Sequence, residues 1–284
     1  MVTVSEISTI NVGLIGCGSM GSELARTVVR GDVGDATIVG LYDDYAPNRS
    51  GLANELSSTD LPNLIEFNNV SELINCDELD LIIECASQKA VVTHAKSIID
   101  AGISMLIMSS GAMIDPNFLR TISKSAEQSG ASIYIPSGAV GGIDAIRASK
   151  SMLQEVTIIS TKKPISLVGS PGFAPWENKE ITQATVIFEG SASEAVPLFP
   201  ANVNVAATVS MAGIGPDKTK VRVIADPESP GNVHAISAIS KAGKFSFHFE
   251  NIPHKNNPRT SFLAVLAAIE TLRSICHPSL RVGT

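Results

Sequence analysis

Short β-branched runs alternate with helical stretches along the first half of the chain. Six segments read as strands: Asn11–Gly16, Thr37–Asp43, Asn63–Phe67, Asp80–Cys85, Ile103–Met108 and Ser132–Pro136. Helical patterns lie between them, most clearly Ser19–Arg30, Gln88–Ala101 and Asp115–Ser129. The last opens with Asp115-Pro116, an acceptor side chain for the cap and a proline for the first turn. The strands are apolar almost without interruption, which predicts burial on both faces, as in a parallel sheet. Parallel strands joined by helices need right-handed crossovers, so the expected fold is α/β, a Rossmann-type doubly wound sheet.

The rhythm changes after Pro136. Val156–Ser160 reads as a strand, Leu167–Lys179 as loop and Asn202–Ala212 as helix, before three strand-like runs: Lys218–Ala225, Asn232–Ser240 and Lys244–Glu250. In the last run Phe245, Phe247 and Phe249 share one face while Ser246, His248 and Glu250 share the other. Half-buried antiparallel strands alternate in this way. Thr260–Ser274 closes the pattern as an amphipathic helix. The expected organisation is a dinucleotide-binding domain over residues 1–136 and a second α+β domain, with a mixed or antiparallel sheet, over 137–256. A helical segment over 257–284 is expected to return to the first domain.

Composition narrows the function. The 284 residues suffice for two domains, and 44% hydrophobic against 17% charged residues argues against disorder. Lys+Arg number 21 and Asp+Glu 28, a formal charge of −7 with no basic block, which argues against nucleic-acid and anionic-membrane partners. An acidic substrate would therefore need a local basic pocket, since the overall field repels it. The four cysteines, Cys17, Cys76, Cys85 and Cys276, form no C-x-x-C pair, as expected of a reducing, cytoplasmic setting. MVTVSEISTI reads as neither signal peptide nor anchor, and no run of 18 apolar residues occurs.

Gly16-Cys17-Gly18-Ser19-Met20-Gly21 fits G-x-G-x-x-G at the junction of the first strand and first helix. Gly16 permits the tight turn, Gly18 lets the backbone approach a pyrophosphate, and Gly21 lets the helix pack on the strand. Ser19 and Met20 open the helix whose N-terminus faces the anion, with Met20 packing under the loop. Asp43 ends the second strand, placed for the ribose hydroxyls. Its charge favours NAD over NADP, but Arg49 nearby could pair with a 2′-phosphate, so both cofactors stay open. Cys85, Ala86 and Ser109 sit at strand ends where ligands of doubly wound sheets lie. Cys85 reads as a buried thiol rather than a nucleophile, and Ser87 as either a contact or a helix cap.

Five histidines are present, and only His234, opening a strand after a turn-forming stretch, stands out. None has metal-ligand spacing, so no metal is expected. Lys218, Lys220 and Arg222 alternate along one strand face, which reads as solvated or, alternatively, as a dicarboxylate pocket. Lys162-Lys163-Pro164 is a basic candidate of the same kind.

Several stretches together resemble the L-aspartate dehydrogenase family: GLIGCGSMG, PSGAVGGIDAI at 136–146, FPANVNVAAT at 199–208, MAGIGPDKTKVRVIADP at 211–227 and NVH at 232–234. The likeness runs nearly the whole length, and the family shares its architecture with homoserine dehydrogenase and dihydrodipicolinate reductase. It implies that His234 is catalytic, that Ala139 and Asn204 contact the cofactor, and that the cofactor, NAD or NADP, bridges two domains of a homodimer. The implied reaction is reversible oxidative deamination of L-aspartate to iminoaspartate, then oxaloacetate and ammonia, feeding NAD biosynthesis. Lys162-Lys163-Pro164 departs from the family's Arg-Lys-Pro, and lysine lacks the planar bidentate grip of arginine. Lys162, Lys163 and Lys220 are the candidate holders of the substrate carboxylates. The rival expectations are a dehydrogenase or reductase for another small dicarboxylate or semialdehyde, and a non-catalytic NAD(P)H sensor.

Overall fold

The structure, a computed structural model, describes residues 9–57, 64–76, 78–200, 204–255 and 257–277. The opening residues 1–8, the expected element starts at Asn63 and Asn202, and the tail 278–284 lie outside them. The described chain divides into two compact units. The first holds residues up to Ser109, Arg120–Tyr134 and those from Ala268 on; the second holds Ser110–Leu119 and Ile135–Ala267.

The first unit runs β1 (Ile10–Ile15), α1 (Ser19–Val29), β2 (Ala36–Tyr42), α2 (Ala46–Leu56), β3 (Ile65–Glu66), α3 (Val70–Ile74), β4 (Leu81–Glu84), α4 (Gln88–Asp100) and β5 (Ser104–Ile107). Most of α5 (Pro116–Ser129) and all of β6 (Ile133–Tyr134) complete it. Its six strands are ordered β3-β2-β1-β4-β5-β6, every pair parallel. The doubly wound expectation holds, with the order reversing beside β1, where such sheets bind nucleotides. Residues of β4 are all buried, as the unbroken apolar run required. Asp115 accepts from the Asn117 backbone N–H (2.8 Å) at the start of α5. Such a cap contributes about 1 kcal/mol.

Two helices escape the hydrophobic pattern. α2 buries only Leu52, Ala53 and Leu56, and its first turn carries a proline. It is anchored by polar contacts instead, Glu55 accepting from Arg26 Nε of α1 (2.5 Å). α3 is one turn and a half, too short for periodicity to register; Asn69 caps it by accepting from Glu72 N–H (2.8 Å).

The second unit contains α6 (Ile143–Ala148), β7 (Leu153–Lys162), β8 (Thr185–Ser191), α7 (Ala192–Leu198), α8 (Asn204–Ala212), β9 (Lys220–Ala225), β10 (Asn232–Ser240) and β11 (Gly243–Asn251). A small hairpin, β12 (Pro253–His254) with β13 (Asn257–Ser261), leads into α9 (Phe262–Cys276). The five-stranded sheet is ordered β11-β10-β7-β9-β8. It is mixed: β7 and β9 run parallel, the other pairs antiparallel. The three late strands are therefore not consecutive neighbours, because β7 inserts between β9 and β10. Val156, Ile158, Val221, Val223, Ile236 and Ala238 face one side of the sheet, and α7 and α8 cover that side. Buried Phe199 packs edge-on against Phe188 (5.8 Å) beneath them, and truncating such a ring costs about 3–5 kcal/mol. β8 and α7 fall in the stretch the pattern left unassigned. The start of α7 is nevertheless written locally as a capping box, Ser191 bonding Glu194 N–H while Glu194 accepts from Ser191 N–H (2.8 Å).

Candidate active site

In the first unit the glycine loop is built by the side chains it lacks. Gly16 has φ +96°, and a Cβ there would lie 2.7 Å from the Ala86 nitrogen, so the loop presses on the turn after β4. A Cβ on Gly21 would come within 1.9 Å of the Gly16 carbonyl oxygen, so α1 can pack this closely only with glycine. Gly18, the N-cap, differs: a Cβ there meets nothing within 4 Å. No side chain caps α1, and its first turn, Ser19 and half-buried Met20 included, carries no acid. Space beside Gly18, first-turn N–H groups and a positive dipole end together suit a pyrophosphate, and the residues fit a dinucleotide.

Asp43 has a structural duty not legible in the motif. Oδ2 accepts from Cys17 N–H (2.7 Å) and Oδ1 from Tyr45 N–H (2.8 Å), pinning the loop to the end of β2. Arg49 is already engaged, with the Phe67 carbonyl (2.8 Å), Asn68 Oδ1 (3.3 Å) and Glu66 (3.2 Å). The turn after β4 supplies exposed Ala86 and half-buried Cys85, whose thiol burial holds well above the ordinary range. Ser87 caps α4, accepting from Ala90 N–H (3.1 Å).

Glu84, which sequence reasoning passed over inside an apolar strand, organises this edge. It is 1% exposed. Its Oε1 accepts from Ala86 N–H and Ser87 N–H (both 2.8 Å) and from the Ser109 hydroxyl (2.9 Å), and its Oε2 from Ser109 N–H (3.0 Å). Burial pushes the carboxyl up, against hydrogen bonds that favour the ionised form. The available signal was a lone acid ending a buried strand.

In the second unit β7 and β10 bring four polar side chains to the core face. Antiparallel register sets His234 opposite Ser160, and Nδ1 lies 3.0 Å from the Ser160 hydroxyl. Two residues along each strand, on the same face, come Lys162 and Asn232. His234, Lys162 and Asn232 are 1%, 3% and 2% exposed. Burial, with the Lys162 charge adding to it, depresses His234 to about 3. Burial alone lowers Lys162 to about 8. The imidazole is therefore neutral at pH 7 and the lysine mostly charged.

The other lysine candidates separate from this cluster. Lys163 is exposed just past the end of β7. Lys220 is opposite Thr157, on the other side of the sheet, and pairs with Glu155 (3.3 Å). Lys218 precedes β9, and Arg222 grips Glu189 (2.9 Å), the solvated-face reading. Ala139 is buried after Gly138 and its carbonyl accepts from Asn251 Nδ2 (2.9 Å). The Asn204 amide oxygen accepts from Gly111 N–H (3.2 Å) and its carbonyl from the Ser110 hydroxyl (3.0 Å), so α8 begins against the 110–114 turn. Among the described residues no cluster of metal ligands occurs, and no helix is long and apolar enough to cross a membrane.

Both halves of the chain match known families. Residues 16–136 match the family described as homoserine dehydrogenase, NAD binding domain, and residues 144–275 match aspartate dehydrogenase, C-terminal. The chain is 39% identical to an L-aspartate dehydrogenase of Nitrosopumilus maritimus over 96% of its own length and 99% of the relative's. It is 40% identical to one of Methanosarcina mazei, over 97% and 100%. The crystal structure of an aspartate dehydrogenase from Thermotoga maritima superposes with a TM-score of 0.74 at 28% identity, covering 97% of this chain and all of that one. With near-complete coverage at such identity, and with both halves matched in order, the chain belongs to the L-aspartate dehydrogenase family.

Proposed function

We propose that the protein oxidises L-aspartate with NAD(P), giving iminoaspartate and, after addition of water, oxaloacetate and ammonia, in a reversible reaction. The observation that carries the reading is His234, buried and neutral beside a buried lysine, in a chain of this family. The nicotinamide supplies the hydride acceptor when bound. Gly16, Gly18, Ser19, Met20, Gly21, Asp43, Cys85, Ala86, Ser109, Ala139 and Asn204 are the residues assigned to hold the dinucleotide. Asp43 repels a 2′-phosphate while Arg49 is held by three partners, which supports NAD as the preferred form.

The chain's own work is to hold the substrate and govern protons. Lys162 offers a buried positive charge to a carboxylate, meeting the need for a local cation in a protein of charge −7. His234 takes a proton from the water that adds to the imine carbon and returns it to the departing amine. For that its Nε2 must carry the lone pair, so Nδ1–H donates to the Ser160 hydroxyl, which fixes both tautomer and ring orientation. The glycine loop that takes the pyrophosphate thus belongs to the first unit and the acid–base chemistry to the second, with Ala139 and Asn204 of the second also assigned to the dinucleotide. By family resemblance the protein acts as a cytoplasmic homodimer and feeds NAD biosynthesis; light scattering checks the assembly.

Absorbance at 340 nm tests the reaction. Purified protein with L-aspartate and NAD should form NADH, faster than NADP forms NADPH, and should not do so with L-glutamate or L-homoserine. Oxaloacetate with ammonia should consume NADH. No change in either direction, with cofactor binding shown by NADH fluorescence, would sink the reading.

A further inference from the structure

Two deficits meet on the core face of the second sheet. Lys162 is a buried cation, and no carboxylate among the described residues pairs with it; burial alone perturbs it. Asn232 is buried too, and its Nδ2 is a buried side-chain donor with no acceptor among the described residues. A buried amide left in this state costs about 1–3 kcal/mol, so native proteins seldom keep one without a use.

Their placement is fixed by register. Val233 is opposite Thr161 and His234 opposite Ser160, so the antiparallel ladder carries Asn232 to the level of Lys162. On its other side Asn232 is opposite Asn251, whose Nδ2 donates to the Ala139 carbonyl, and Asn232 Nδ2 makes no bond there. Asn232 and His234, two residues apart, point to the same face about 6.7 Å apart along the strand. A small molecule whose reacting carbon lies at His234 would present its oxygens to both Lys162 and Asn232.

We infer that Asn232 is a substrate-binding residue, whose Nδ2–H donates to an oxygen of the same substrate carboxylate that Lys162 neutralises. A carboxylate answers both deficits at once, with charge for the lysine and an acceptor lone pair for the amide. Neither group alone fixes the carboxylate's orientation; the ammonium is a point charge on a flexible stem, and the short amide supplies direction. The inference rests on the function proposed above.

The test uses the full-length protein and its Asn232→Leu and Asn232→Asp variants. Three readouts are needed: L-aspartate kinetics, inhibition by succinate (a dicarboxylate without an amine), and thermal unfolding without ligand. Asn232→Leu keeps the branching and heavy-atom count and removes a donor that bonds nothing, so the Tm should be close to the parent's or higher. The KM for L-aspartate and the Ki for succinate should rise about 10- to 100-fold, the loss expected for a hydrogen bond to a charged group. NADH affinity should stay within about twofold of the parent's. Asn232→Asp keeps the shape but replaces the donor with an anion beside Lys162, and should weaken succinate at least as much. A lowered Tm with unchanged KM and Ki would make the residue structural and overturn the inference. Weakened NADH with unchanged succinate would overturn it in favour of the cofactor's carboxamide. If the parent itself formed no NADH from L-aspartate, the proposed function would fail instead, a result visible before any variant is made.

Discussion

The glycine loop of the first unit and the polar cluster of the second are built on opposite principles. The loop works through missing side chains. Gly21 sits where a Cβ would lie 1.9 Å from a carbonyl oxygen, and Gly18 leaves open space at the N-terminus of α1. The cluster works through side chains that two strands deliver from distant sequence, Ser160 and His234 being 74 residues apart. The first design would recognise a phosphate with groups every residue possesses, so its signature is compact and local. The second needs particular chemistry, a neutral base and a buried charge, and only the register of the sheet assembles it. Burial sets the protonation states of the cluster.

Substitutions can break this contrast. His234→Ala should cause the largest effect, a fall in kcat of about 10²–10⁴-fold, the usual worth of a positioned acid–base group. NADH affinity, measured by fluorescence, should be nearly unchanged, since the dinucleotide-binding loop belongs to the first unit. Gly21→Ala should be severe in another way. The clash with Gly16 must displace α1 or the loop, so both Tm and NADH affinity should fall. Gly18→Ala is the matched control: its Cβ has room, so NADH affinity should drop while the Tm stays close to the parent's. Equal losses of Tm in the two glycine variants would show that Gly18 is structural as well.

The effect of pH sharpens the other half. Lys162 has its folded value depressed to about 8 from an ordinary 10.5. Its charge is present below pH 8 and lost above it, so succinate inhibition should weaken as pH rises through that value. Succinate has no amine, so this profile is free of the substrate's own amine titration. The linked stability change has the same origin: between about pH 8 and 10.5 the unfolded chain binds more protons than the folded one, so this group makes the protein more stable as pH rises. Lys162→Met should remove the alkaline weakening of succinate binding and raise the KM for L-aspartate about 10- to 100-fold. Lys220→Ala should do least, with KM and kcat within about twofold, because Lys220 lies on the other side of the sheet and pairs with Glu155 in solvent.

Much of the first unit can be read directly from the chain. Its parallel strands are buried on both faces, so each is an apolar run bounded by turns, and β1, β2, β4 and β5 fall within a residue or two of expectation. α2 is illegible because it is held by Arg26–Glu55 and only three buried residues, leaving no apolar stripe. In the second unit β10 is read to the residue, yet its neighbours are not, since period-2 alternation says which face a side chain takes but not which strand lies beside it. Lys220 illustrates the consequence. It looks equivalent to Lys162 as a basic strand residue, and only the pairing with Thr157 shows that it faces the other way. His234 is found through family resemblance, whereas Glu84 offers only the pattern of a lone acid ending a buried strand and Asn232 only its place beside His234 in NVH. Their importance lies in burial and hydrogen bonding, which appear only once the chain is folded.

The central claim, hydride removal from the α-carbon of L-aspartate, is tested most directly with substrate deuterated at that carbon. Mass spectrometry of the reduced cofactor should find one deuterium per molecule formed, with no transfer by His234→Ala beyond its residual rate. Reduced cofactor without deuterium, or none formed from L-aspartate at all, would contradict the account.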